Sequence, residues 1–252
     1  MDFALWVYPL LFVVGLAAGL VDSIAGGGGL IAMPTLLALG MPVPFALGTN
    51  KFQSTCGTIA SSWTYARSGL VNFRSCRLGI VATFIGAVVG VLTVQHTDPR
   101  MLAKLIPWLL VLVFLYTVFR PHMGAQDQPP RMKENAFFAV FGLGLGFYDG
   151  FFGPGVGSLW AICLIVMLGQ NFAKATAYTK ILNLASNVAS IALFAYAGMV
   201  HYGAGITMGV GQIIGARLGS KMVIRKGAQF IRPIFLTIVG LTLVRLFWVS
   251  YR

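Results

Sequence analysis

Charge is what this sequence has least of. Only 10% of its 252 residues are Asp, Glu, Lys or Arg, whereas a soluble globular domain carries about 25%. A chain this poor in charge cannot cover a water-facing surface of its own size, which excludes an ordinary soluble domain. Acidic residues are the scarcer sign, 6 against 18 Lys and Arg. A basic excess can mean nucleic acid, but it also marks the cytoplasmic loops of membrane proteins. The composition selects the second reading, so no nucleic-acid partner is expected. Cysteine is sparse: Cys56, Cys76 and Cys163 have neither CxxC spacing nor companion histidines. They read as small apolar fillers, and no metal or other cofactor is expected. No basic segment precedes the first apolar run, so that run is read as part of a first span and not as a cleaved leader. No nucleophile-and-base pair stands out, and the chain is not expected to be an enzyme.

Apolar residues are what it has in quantity, 58% of the chain. Runs near or beyond 18 residues recur, each a candidate crossing. The expectation is an all-α, multi-pass integral membrane protein with the lipid bilayer as its solvent. Residues 19–34 organise the reading. They hold Asp22, four consecutive glycines from Gly26 to Gly29, and Pro34. Gly costs about 1 kcal/mol relative to Ala inside a helix and Pro about 3, so a helix arriving here should stop and restart. No Gly-Lys-Ser/Thr follows and no βαβ pattern surrounds it, which excludes a phosphate-binding P-loop.

The same device returns about 127 residues later. Asp149 stands where Asp22 stood, and Gly153 and Gly155 stand where Gly26 and Gly28 stood. The expected segments are 3–21, a short 30–39, a polar helix 45–66, a Gly-rich span 78–94 and a span 105–119. The second half replays them as a broken unit 136–166, a polar helix 172–197, a Gly-rich span 203–222 and a last span 231–249. Past an insertion near Asn171 the offset is close to 129, so Lys51 falls on Lys180 and Ser54 on Asn183. The expected organisation is an N-terminal repeat 1–121, a linker 122–134 and a C-terminal repeat 135–252 in one membrane domain. Such duplication is a hallmark of secondary transporters.

Charge gives orientation. Loop 67–77 carries Arg67, Arg74 and Arg77, while its counterpart 198–203 carries none. Loop 221–232 carries Lys221, Arg225, Lys226 and Arg232, while its counterpart 95–104 is mixed. Both basic loops face the cytoplasm only if each half crosses an odd number of times. That predicts two inverted-topology repeats and about ten segments, including broken or re-entrant helices, with both termini outside.

Ionisable residues at membrane depth are costly and usually have a role. Asp22, Lys51, Asp149, Lys180 and Arg217 qualify. Each lysine either snorkels to an interface or joins its counterpart in a shared anion site. Each aspartate caps a broken helix or carries a coupling ion. Arg217 either forms an ion pair with one aspartate or has a role in coupling, and the sequence does not choose between them. Helices restarting near Gly27, Gly28 and Gly155 aim N–H groups and a positive dipole end inward, an anion-binding arrangement. Thr49, Asn50, Gln53, Ser54, Thr179 and Asn183 supply further hydrogen bonds, to a ligand or between helices.

The Asp22–Pro34 unit, the run Gly48-Thr49-Asn50-Lys51 and the second-half run Thr179-Lys180-Ile181-Leu182-Asn183 resemble the sulfite exporter TauE/SafE family, also called the toluene sulfonate uptake permease family. The resemblance covers nearly the whole chain. It implies a permease for small sulfur-containing oxyanions such as sulfite or organosulfonates, coupled to a proton or sodium gradient, in the bacterial inner membrane. Arg217 departs from that pattern. The competing readings are an uncoupled anion channel and a transporter of another small carboxylate or sulfur compound. A reporter active only outside the cytoplasm, fused after Arg252, is expected to be active; activity of a cytoplasm-only reporter there would refute the segment count.

Overall fold

The computed structural model describes residues 3–98, 100–102, 104, 108 and 126–226. Every regular element among them is helical: α1 Val7–Ala25, α2 Gly29–Ala38, α3 Val43–Arg67, α4 Phe73–Gln95, α5 Glu134–Phe151, α6 Val156–Leu168, α7 Phe172–Tyr196 and α8 Tyr202–Lys226. The expected spans 105–119 and 231–249, linker residues 122–125, and Arg232 lie outside the described residues.

The polar helices α3 and α7 and the Gly-rich α8 each have 25 residues, about 37 Å at 1.5 Å per residue. That exceeds the ~30 Å hydrocarbon core. Among the described residues, α1 and α4 are the helices both long and apolar enough to cross a membrane by length and composition alone. The polar side chains of α3 and α7 are turned inward: Asn50, Lys51, Gln53, Lys180, Asn183 and Asn187 are all buried. α2 has 10 residues and α6 has 13, roughly 15 and 20 Å, too short to cross unaided.

The first and second halves of the chain are interleaved. α1 lies along α8, α4 lies along α5, and α3 and α7 meet in the middle. Two of these contacts are made of glycine. Gly15 and Gly19 of α1 sit on the backbone of Met208 and Gln212, while Gly211 and Gly215 sit on the backbone of α1. Across the molecule Gly86 and Gly90 of α4 sit on α5, and Gly142, Gly146 and Gly150 sit on α4. With lipid as solvent, helices gain little by hiding apolar side chains, so small residues and close backbone contact hold them together. The large apolar side chains point the other way. On α4, Phe84, Ile85 and Val89 are exposed while Ala82 and Ala87 are buried. On α8, Ile206, Val210, Ile214 and Leu218 are exposed while Gln212 and Ser220 are buried. Large apolar side chains exposed along helices that bury an amide or a hydroxyl fit a protein surrounded by hydrocarbon.

Local chemistry sets the ends. Asn72 accepts from Arg74 N at 3.0 Å to start α4, and Asn171 accepts from Lys174 N at 3.0 Å to start α7, each satisfying an orphan amide of a first turn. The linker is tied down at its end: Gln128 N donates to Gly169 O at 2.7 Å and Arg131 N to Met167 O at 2.8 Å.

Because a Cβ at Gly86 would overlap α5 backbone, Gly86→Val is expected to cost about 1–3 kcal/mol by overpacking. Gly144→Ala, with open space around it, should be neutral or slightly stabilising. Thermal unfolding of the purified protein in detergent measures both.

Candidate functional site

The two glycine breaks are built differently from the expected capped ends. α1 does not stop at Asp22 but runs on to Ala25, ending where Gly26 enters the left-handed region at φ 74° and donates to Asp22 O at 2.8 Å. Only glycine adopts that geometry without strain. α2 restarts after Gly28. In the second half α5 ends at Phe151, Gly153 has φ 94° and Gly155 φ 80°, and α6 starts at Val156. Both aspartates therefore lie inside the last turn of their helices. Neither caps: α2 and α6 begin at glycines with no side-chain cap.

The breaks meet. A Cβ at Gly26 would overlap the backbone of Gly157, one at Gly29 would come within 3.0 Å of Pro154 Cα, and Ser158 Oγ donates to Ala25 O at 2.6 Å. The carboxylates, free of capping duty, pair with lysines from the other half. Lys51 of α3 donates to Asp149 Oδ1 of α5. Lys180 of α7 donates to Asp22 Oδ2 of α1 at 3.0 Å. The lysines are 2% and 0% exposed, so neither snorkels. Burying such charges is tolerable only because each faces its counter-charge. Around the first pair, Ser186 Oγ donates to Asp149 Oδ2 and Lys51 Nζ reaches Asn187 Oδ1 at 3.4 Å.

A small cavity lies between the breaks. Asp22, Asn50, Lys51, Ser54, Asp149 and Asn183 line it, with Gly26, Gly29, Gly153, Gly155, Val156 and Asn187. The starts of α2 and α6 thus bring their positive dipole ends to it. Among the described residues the Asn183 side chain has no hydrogen-bond partner, and its Oδ1 is buried. Among the described residues, the buried N–H groups of Gly27 and Gly28 have no hydrogen-bond acceptor.

Other expected site residues are placed elsewhere. Thr49 Oγ1 accepts from His201 N at 2.9 Å, and Thr179 Oγ1 donates to Ala175 O at 2.8 Å. Gln53 reaches the cavity through its neighbours, donating to Asn50 Oδ1 at 2.9 Å and to Ser54 Oγ at 3.4 Å. Lys180 lies outside the cavity wall and touches the site through Asp22. Arg217 is exposed on α8 and makes no ion pair among the described residues; Asp22 and Asp149 pair with the lysines. Ser186 and Asn187 were missed as site residues. Asn187 lies seven residues after Lys180 and four after Asn183, one face of one helix, and that spacing was the available signal.

A helical, outward-apolar protein whose interior holds two ion pairs at paired helix breaks is a membrane-embedded protein with a buried polar centre. The comparisons place it within a family. The sulfite exporter TauE/SafE family matches residues 11–246, and the chain belongs to that family of membrane transporters. It is 42% identical over 233 residues to a "Probable membrane transporter protein" of Haemophilus influenzae, covering 92% of this chain and 91% of the relative. It is 40% identical over 242 residues to the "Probable membrane transporter protein YfcA" of Escherichia coli K12, covering 96% and 90%. It is 39% identical over 242 residues to the "Probable membrane transporter protein ORF9" of a Sinorhizobium species, covering 96% and 92%.

Lys51→Met strands a buried carboxylate at Asp149, and removing one partner of such a pair costs about 3–5 kcal/mol. Its thermal unfolding in detergent should fall well below that of Arg217→Met, which should unfold like the unaltered protein.

Proposed function

We propose that this chain is a secondary transporter of small sulfur-containing oxyanions, sulfite or organosulfonates, working by alternating access and coupled to an ion gradient in the bacterial inner membrane. The observation that carries the reading is the crosswise pairing of Lys51 with Asp149 and of Lys180 with Asp22 where two broken helices touch. Ionisable groups in mid-chain apolar helices mark substrate and ion pathways, and the two restarting helices add a positive field that suits an anion. The family's description names a sulfite exporter, which supports the sulfur oxyanion; the relatives' names say transporter and give no substrate.

Inverted repeats are part of the proposal. The sequence offset of 127–129 residues carries the contact of α1 with α8 onto the contact of α5 with α4. It carries Gly19 on Gln212 onto Gly146 on Thr83, and one ion pair onto the other. Two units related by a twofold exchange would produce this reciprocity, and such units let a site open alternately to each side. Both lysines are engaged by aspartates, which supports a resting conformation in which these pairs must rearrange before an anion loads. A centre whose charges are neutralised internally favours a carrier over a standing pore.

The test is solute counterflow in proteoliposomes. Sulfite, isethionate, sulfoacetate and taurine are each trapped inside and the matching labelled compound is added outside. Transient accumulation of at least one of the anions supports the reading. Flux of every anion strictly down its gradient, with no counterflow, would favour the channel; chemical conversion of the solute would make the protein an enzyme.

A further inference from the structure

The two ion pairs occupy matching places but have different surroundings. Asp149 is held at both oxygens, Oδ1 by Lys51 and Oδ2 by the Ser186 hydroxyl, and its side chain is 3% exposed. Asp22 is held at one, Oδ2 by Lys180, and its side chain is 15% exposed. Among the described residues its Oδ1 has no partner, and Asp22 lines the cavity. A single residue accounts for the difference. At the offset of 129, Ser186 corresponds to Gly57, so the first half has no hydroxyl where the second half supplies one. The Gly57 position is filled instead from α8: a Cβ there would meet Gln212 Nε2 at 2.9 Å, and the amide of Gln212 is buried with neither end partnered.

Charge decides what this asymmetry can do. Lys51, Lys180, Asp22 and Asp149 cancel to zero, so the site as it stands has no net attraction for an anion. A bound anion would add one uncompensated negative charge in a low-dielectric interior, which is strongly unfavourable. Neutralising one carboxylate restores the balance. The groups that bear on Asp22 are Lys180 of α7 in contact, Lys51 of α3 and Asp149 of α5 around the cavity, and the Tyr65 hydroxyl of α3, which donates to Ser23 O at 2.8 Å. α2 contributes no charge, α6 contributes the neutral Ser158, and α8 the neutral Gln212.

We infer that Asp22 carries one proton with each monovalent anion, and that Lys180 is the anion-binding lysine. A proton from bulk water adds to a carboxylate oxygen of Asp22. Its hydrogen bond to the Lys180 ammonium gives way, and an oxygen of the anion replaces Oδ2 on Lys180. Asn183, which has no side-chain partner among the described residues and lines the cavity, turns its amide to donate to the same anion. Lys51 and Asp149 stay paired throughout. On the far side the anion leaves, the proton returns to water, and Asp22 pairs again with Lys180. Nothing is consumed beyond the proton that moves. This inference rests on the transporter reading above and adds the coupling ion and its carrier.

The test uses the full-length protein in proteoliposomes with labelled isethionate and, separately, sulfite. Counterflow is compared with uptake driven by an inward proton gradient. One proton per monovalent anion supports about tenfold accumulation per pH unit, each unit being about 1.4 kcal/mol. Asp22→Asn should keep counterflow but show no accumulation from the gradient. Lys180→Gln should lose both. A second measurement works in detergent without transport: isethionate added to weakly buffered protein should take up about one proton per anion bound, an uptake abolished by Asp22→Asn and kept by Arg217→Met. Accumulation by Asp22→Asn equal to that of the unaltered protein, or anion binding without proton uptake, would overturn the inference while leaving the transporter reading intact. Failure of the unaltered protein to move either anion in counterflow would overturn both.

Discussion

Four buried charges in a chain that has few of them set the terms for the rest of the fold. Lys51 and Lys180 sit deep in helices, and each can stay ionised there only if an opposite charge reaches it. That charge comes from the other half of the sequence, Asp149 for Lys51 and Asp22 for Lys180. Neither half can bury its own lysine against its own aspartate in this arrangement. The two halves must therefore close on each other, and the glycine contacts of α1 with α8 and of α4 with α5 make that closure sterically possible. The breaks at Gly26 and Gly153 then bring the two aspartates to one cavity.

The same constraint shapes the polar interior. α3 and α7 carry amides and hydroxyls that lipid could not satisfy, and they turn them to each other: Ser62 Oγ donates to Lys180 O at 2.9 Å and Asn187 Nδ2 to Thr58 Oγ1 at 3.3 Å. Apolar bulk is left for the outside and for clusters away from the ion pairs, such as the one around Phe137, Phe138 and Trp160. What remains in the centre is neutral in sum and rich in groups that could exchange partners.

Much of this was written locally in the sequence. Glycine runs break helices through their own backbone, so both breaks were legible without knowing any neighbour. Small residues every fourth position announce close helix contact, and the Gly-rich spans packed as that spacing implies. The pairings of the aspartates were not legible, since they join residues 98 and 158 positions apart and depend on which helix lands beside which. Reading Asp22 and Asp149 as caps failed because each helix runs most of a turn past its carboxylate before it ends. Arg217 was misplaced for a readable reason. It lies two residues from Gly215 and two from Gly219, so at 3.6 residues per turn it faces away from the side on which those glycines contact α1. Ser186 and Asn187 were overlooked because serine and asparagine in a polar helix look alike whether they bind a carboxylate or a neighbouring backbone.

The central claim is that each lysine is held by the aspartate of the opposite half. A double-mutant cycle on Lys51 and Asp149, read as thermal unfolding of the purified protein in matched detergent, tests it most directly. The account predicts that Lys51→Met/Asp149→Leu unfolds at a higher temperature than either single variant, because the double removes both charges while each single strands one. Losses that simply add in the double variant would contradict it.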